Sequence, residues 1–193
     1  GQHQSTFNSY KFVRSGSTIA DNQVTETNLN SDCFHVLGVK RTFSIDQNDL
    51  KNVYKSLMGE LHPDKHANKS ANERDEMTEK ASIVVNAYQI LSDSNARAIH
   101  LLELLGTSLD EDTTGELVGQ EFLMDIMECR DKIERTDDND KLQNLLKENS
   151  DHMNQTYLQL EKSFNEKDLD KAKKMTALMQ YWKRIEETIK EKI

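Results

Sequence analysis

Apolar residues return at helical spacing along most of the chain. In DCFHVLGV, residues 32–39, a short apolar element runs to Gly38, a plausible helix stop. A second run places Leu50, Val53, Tyr54, Leu57 and Leu61 at i, i+3, i+4, i+7 and i+11, one face of a helix that Ser44 or Asp46 can cap. Met77, Ala81, Val84, Tyr88 and Leu91 repeat the pattern after a polar loop, so the two helices are expected to form an antiparallel hairpin with the loop at its tip. RAIHLLELLG, residues 97–106, predicts a further short helix stopped by Gly106.

The second half carries three longer stripes. Phe122, Ile126, Cys129 and Ile133 make the first. Leu142, Leu145, Leu146, Met153, Tyr157, Leu160 and Phe164 make the second, and Leu169, Ala172, Met175, Met179, Trp182 and Ile189 the third. Polar turns separate them, which describes a three-helix bundle. The best boundary is 106–118, GTSLDEDTTGELV, with two glycines, several hydroxyls and an acidic cluster. The expected layout is all-α: an aperiodic leader over 1–30, a helical hairpin unit over 31–105, a linker over 106–118 and a three-helix domain over 119–193.

Composition narrows the functions open to such a chain. Its 193 residues include seven glycines and a single proline, which disfavours many-turned β structure. A formal charge of -9 argues against nucleic acid as a partner, because phosphate binding needs a positive footprint. No run of about 18 apolar residues is present to span a membrane. Cys33 and Cys129 stand far apart with no metal-ligand spacing, so no metal and no cofactor is expected, and two reduced thiols fit a reducing compartment. Residues 1–20 contain no acid, two bases (Lys11 and Arg14) and many hydroxyls, the bias of an organelle transit segment.

The one proline falls at the tip between the hairpin helices, in GELHPDKHANKS, residues 59–70. At average usage of about 5% a chain this long would hold many. Proline disfavours helix for the residue before it and has no N–H. Pro63 therefore ends the helix abruptly and holds His62 and Asp64 in a fixed relation at an exposed tip. Lys51, Lys55, Lys65 and Lys69 surround it against Glu60 and Asp64, a basic strip on an acidic protein that suits steering towards an acidic protein surface.

The F-x-x-L-G element at 34–38, the helix, HPDK at 62–65 and the helix ending NAYQILSD at 86–93 together resemble the J-domain. That resemblance implies a co-chaperone that binds an ATP-driven chaperone of the heat-shock-seventy class and accelerates its ATP hydrolysis. It assigns chaperone contact to His62, Pro63 and Asp64, with Lys51 and Lys55. The pieces RAIHLLELLG, EFLMDIMECRDKIE and ALMQYWKRIEETIKEKI resemble the HscB/Jac family within the J-proteins. This implies a C-terminal domain that holds the scaffold protein of iron-sulfur cluster assembly, and with the leader it implies the mitochondrial matrix.

The residues outline a docking face of their own. Leu123 and Met127 are an apolar i, i+4 pair beside an already complete core stripe. Tyr181 lies about 200° around the last helix from Met179 and falls with Leu178 and Ile185 on a second, off-core stripe. The resemblance places scaffold binding on Leu123, Met127 and Tyr181, together with Phe122. The sequence departs from the family in Met127, where a leucine is usual, and in Gln180, where a basic residue is usual. A general J-domain co-chaperone for unfolded clients is the alternative. His62 and Asp64 flanking a proline on an exposed tip lack the pocket and the third orienting group of an enzyme, so no catalytic residue is assigned.

Overall fold

Aspartate and serine caps start most of the described helices. The computed structural model describes residues 32–66, 68, 70–110 and 114–193, so the leader expected over 1–30 lies outside the described residues. The Asp32 carboxylate accepts the N–H groups of Phe34 and His35 and opens α1 (Cys33–Leu37), which Gly38 closes in the left-handed region at φ 63. Asp46 opens α2 (Gln47–Leu61) in the same way. Ser70 and Glu73 form a reciprocal capping box on α3 (Ala71–Ser92). Asp93 both ends α3 and caps α4 (Ser94–Leu104), so the chain turns there with no residue to spare. After α5 (Thr114–Val118) and α6 (Gln120–Glu134) come two long helices, α7 (Asn139–Glu166) and α8 (Leu169–Lys192), capped by Asp138 and Asp168. The α7–α8 turn puts Lys167 at φ 59, a conformation that costs a non-glycine residue roughly 1–2 kcal/mol. Among the described residues every regular element is helical.

The apolar stripes bury as two cores, divided differently from the two halves of the sequence. The first is built from Phe34, Leu37, Leu50, Leu57, Val84, Leu91 and Leu102 of the N-terminal helices, yet it also takes Leu160 of α7 and Ala172 of α8, with Tyr157, Phe164 and Met175 against it. The second holds Ile126 and Ile133 of α6, Leu142 of α7, and Ile185 and Ile189 of α8. Phe43, from the loop between α1 and α2, is fully buried with its ring centroid 5.0 Å from that of Tyr157 and 5.3 Å from that of Phe164. Arg97 lies over the same ring at 5.1 Å, and its Nε donates to the Phe43 carbonyl at 2.8 Å. Burial draws the Arg97 pKa below the ordinary arginine range, opposed by Tyr157 and Asp93. Ser44 with Glu161, and Lys183 with Asp93, tie the halves again nearer the surface.

Three expectations change. The stretch 106–118, read as a linker, contains α5, with Thr114 and Val118 buried and the helix packed on α8; residues 111–113 lie outside the described residues. The short helix expected over 97–106 begins at Ser94, because Asp93 supplies its cap. Ile185, expected on an off-core stripe, is 1% exposed. The reason is the position of α8, which packs against α4, α5, α6 and α7 and so buries far more than one stripe.

Candidate functional site

Two candidate faces lie on the molecule. The first is the tip between α2 and α3. Helix α2 stops at Leu61, and His62 takes an extended backbone with ψ 133, as a residue before proline should. Pro63–His66 then form a single tight 3-10 turn closed by the Lys65 N–H on the His62 carbonyl at 3.0 Å. The Asp64 N–H donates to His62 Nδ1 at 3.3 Å, and the Asp64 carboxylate lies 3.5 Å from that nitrogen. In a neutral ring, an accepting Nδ1 leaves the proton on Nε2. The side chains are 58% and 91% exposed, so both functional groups face solvent from a fixed turn.

Lys51 and Lys55 extend that face. At 100° per residue His62 is rotated only about 20° from Lys51, so Lys51, Lys55 and His62 form one strip about 16 Å long. Both lysines are exposed, and neither makes an ion pair among the described residues. The strip is carried on a rigid hairpin: Tyr54 of α2 stacks on Tyr88 of α3 with centroids 4.2 Å apart and planes at 18°. Lys69, the last lysine of the expected basic strip, lies outside the described residues.

The second face is the flank of α6. Met127 is 67% exposed and Leu123 half-buried, with a Leu123 methyl carbon lying over Gly115 of α5. Sequence reasoning missed Met124, one turn before Met127 and 70% exposed. Its signal was legible as an apolar residue at i−3 from Met127 on the solvent side of the stripe. Phe122 and Tyr181 are not free in the same way. Both are half-buried at the edge of the second core, ring edge to ring face at 5.7 Å, and Phe122 also meets Trp182 at 5.1 Å. Tyr181 reaches α6 through Phe122, so the face is a ridge of exposed methionines backed by a packed aromatic edge.

Both cysteines are free thiols. Burial, with help from Asp32, pushes the Cys33 thiol up to about 11, and burial raises Cys129 as well. Among the described residues no three His, Cys, Asp or Glu side chains gather in a metal-binding group. His100 is buried between the first helices, stacked on Phe34, and its Nε2 accepts the Cys33 N–H at 3.0 Å.

Comparison with known proteins divides the chain as the two faces do. Residues 32–100 match the DnaJ domain family, and residues 118–190 match the family described as the HSCB C-terminal oligomerisation domain. A co-chaperone protein HscB homolog from Neisseria meningitidis is 32% identical over 147 residues, which cover 74% of this chain and 87% of that protein. The iron-sulfur cluster co-chaperone protein HscB homolog of Arabidopsis thaliana is 30% identical over 84% of this chain; the match spans 64% of the plant protein's length. The crystal structure of human co-chaperone protein HscB superposes with a TM-score of 0.78 at 27% identity, covering 83% of this chain and 81% of that one.

Proposed function

The chain belongs to the HscB family of J-domain co-chaperones, and from that premise we propose that it stimulates ATP hydrolysis by a heat-shock-seventy-class chaperone and brings to it the scaffold protein of iron-sulfur cluster assembly. The observation that carries the reading is the tip. Proline forces the end of α2, and the turn fixes an exposed imidazole and an exposed carboxylate beside each other on a basic strip. Such an arrangement has no pocket in which to do chemistry, but it offers a rigid donor and acceptor to a partner surface. Lys51 and Lys55 supply attraction at a distance, and His62, Pro63 and Asp64 supply register.

The scaffold is assigned to the other face, because the names of the relatives couple this family to iron-sulfur clusters and the exposed ridge of Met124 and Met127 is apolar. Flexible thioether side chains adapt to a partner surface. Location in the mitochondrial matrix rests on the acid-free, hydroxyl-rich residues 1–20.

The test is single-turnover ATP hydrolysis by the partner chaperone. His62→Gln is expected to abolish stimulation with an unchanged helical circular dichroism spectrum, since His62 fills no core. Full stimulation by that variant would remove the tip from the mechanism. A pull-down from matrix extract addresses the cargo: one dominant scaffold protein is expected, and a broad mixture of denatured clients would point to a general co-chaperone.

A further inference from the structure

The tip has a lock outside the three residues His62, Pro63 and Asp64. A helix leaves its last four carbonyls without intrahelical donors, and here the natural successors are missing too. Pro63 has no N–H to give. In a continuing helix the Asp64 N–H would serve the Glu60 carbonyl, but it is turned to His62 Nδ1. The Glu60 carbonyl is taken instead by the side chain of His66, whose Nε2 lies 2.8 Å from the oxygen. A carbonyl can only accept, so Nε2 carries the proton, and Nδ1 is enclosed with no partner. The ring is thus folded back over the turn and clamps its last residue to the end of α2.

We propose that His66 is a positioning residue for the chaperone-contacting tip: its Nε2–H bond to the Glu60 carbonyl holds Pro63–His66 in the turn that presents His62 and Asp64. This rests on the chaperone reading above. The bond spans the loop, and among the described residues no other hydrogen bond of the 3-10 turn reaches back into α2; the Lys65 N–H reaches only His62. Without it the turn keeps its proline but loses its tether, and the imidazole and carboxylate sample several orientations. The cost falls on binding, because the partner then has to order the loop.

Two substitutions separate the donor from the ring. Gln carries an amide N–H at about the reach of Nε2, and Phe keeps the ring without a donor. In the full chain, His66→Phe is expected to raise the concentration for half-maximal stimulation roughly 3- to 10-fold, the scale of one ordinary hydrogen bond, with the maximal stimulated rate unchanged. His66→Gln is expected to restore wild-type behaviour. Exchange of the Lys65 amide, which closes the turn, is expected to quicken in His66→Phe alone. Wild-type half-maximal concentration in His66→Phe, or a His66→Gln variant as weak as His66→Phe, overturns the proposal. His62→Gln serves as the reference: if it stimulates fully, the chaperone reading fails, and the lock is then judged by the Lys65 amide, where equal exchange in all three proteins defeats it.

Discussion

His100 shows how a single buried polar group can set a condition on stability. Its Nε2 accepts the Cys33 N–H, so the ring must be unprotonated there, and burial holds its pKa below the ordinary 6.5; Asp32 and Glu103 work against the shift and Arg41 with it. The unfolded chain therefore binds this proton more readily than the folded one. The contribution is complete above about pH 6.5 and is lost as pH falls towards the lowered folded value. Thermal melts between about pH 7.5 and about pH 5.5 are expected to show a fall in Tm for the wild type and a smaller fall for His100→Gln, whose amide oxygen can accept the Cys33 N–H at either pH. Equal falls would show that His100 does not couple to folding.

At the scale of elements, exposed and packed apolar residues lie on different helix faces. On α6, Met127 stands in solvent; on α8, Tyr181 braces Phe122 at the margin of the second core. An interface hot spot costs about 2 kcal/mol or more on truncation, roughly 30-fold in affinity. Met127→Ala is expected to approach that loss in calorimetric titration with the scaffold protein, at unchanged Tm. Tyr181→Ala is expected to weaken binding and also lower Tm, since an aromatic pair adds about 0.5–1.5 kcal/mol beyond its buried area. If Tyr181→Ala left Tm untouched, the ring would belong to the binding face alone. The stripes of α2, α3 and α6 were legible because 3.6-residue periodicity is a local property. Helix α5 was not, since five residues with a glycine inside give no period to read.

For the molecule as a whole, the decisive contact is Phe43. It leaves the J-domain loop and seats between Tyr157 and Phe164 of α7, under Arg97. Removing a buried phenylalanine costs about 3–5 kcal/mol. In a chain of this size that corresponds to a Tm lower by roughly 10 °C. Phe43→Ala is accordingly expected to melt at lower temperature and to split one cooperative transition into two, followed by calorimetry. A single transition at the wild-type temperature would show that the two halves do not depend on this joint. Nothing in the sequence marked the residue, because a lone phenylalanine in KRTFSID carries no periodicity.

By itself the sequence determined the longer helices, the cap of α2, the abrupt end of α2 at His62-Pro63 and the character of the exposed tip. Each of these follows from side chains within a turn or two of one another, where propensity, capping and the missing proline N–H act without reference to the rest of the chain. Tertiary structure alone decided how the stripes were shared. The stripe of α7 runs from Leu142 to Phe164, interrupted at the buried Asn149, and its first part joins the core of α6 while its last part closes the J-domain core. It also decided that Ile185 and the edge of Tyr181 are packed, because α8 has neighbours on several sides and periodicity records that a residue is apolar, never how many partners surround it.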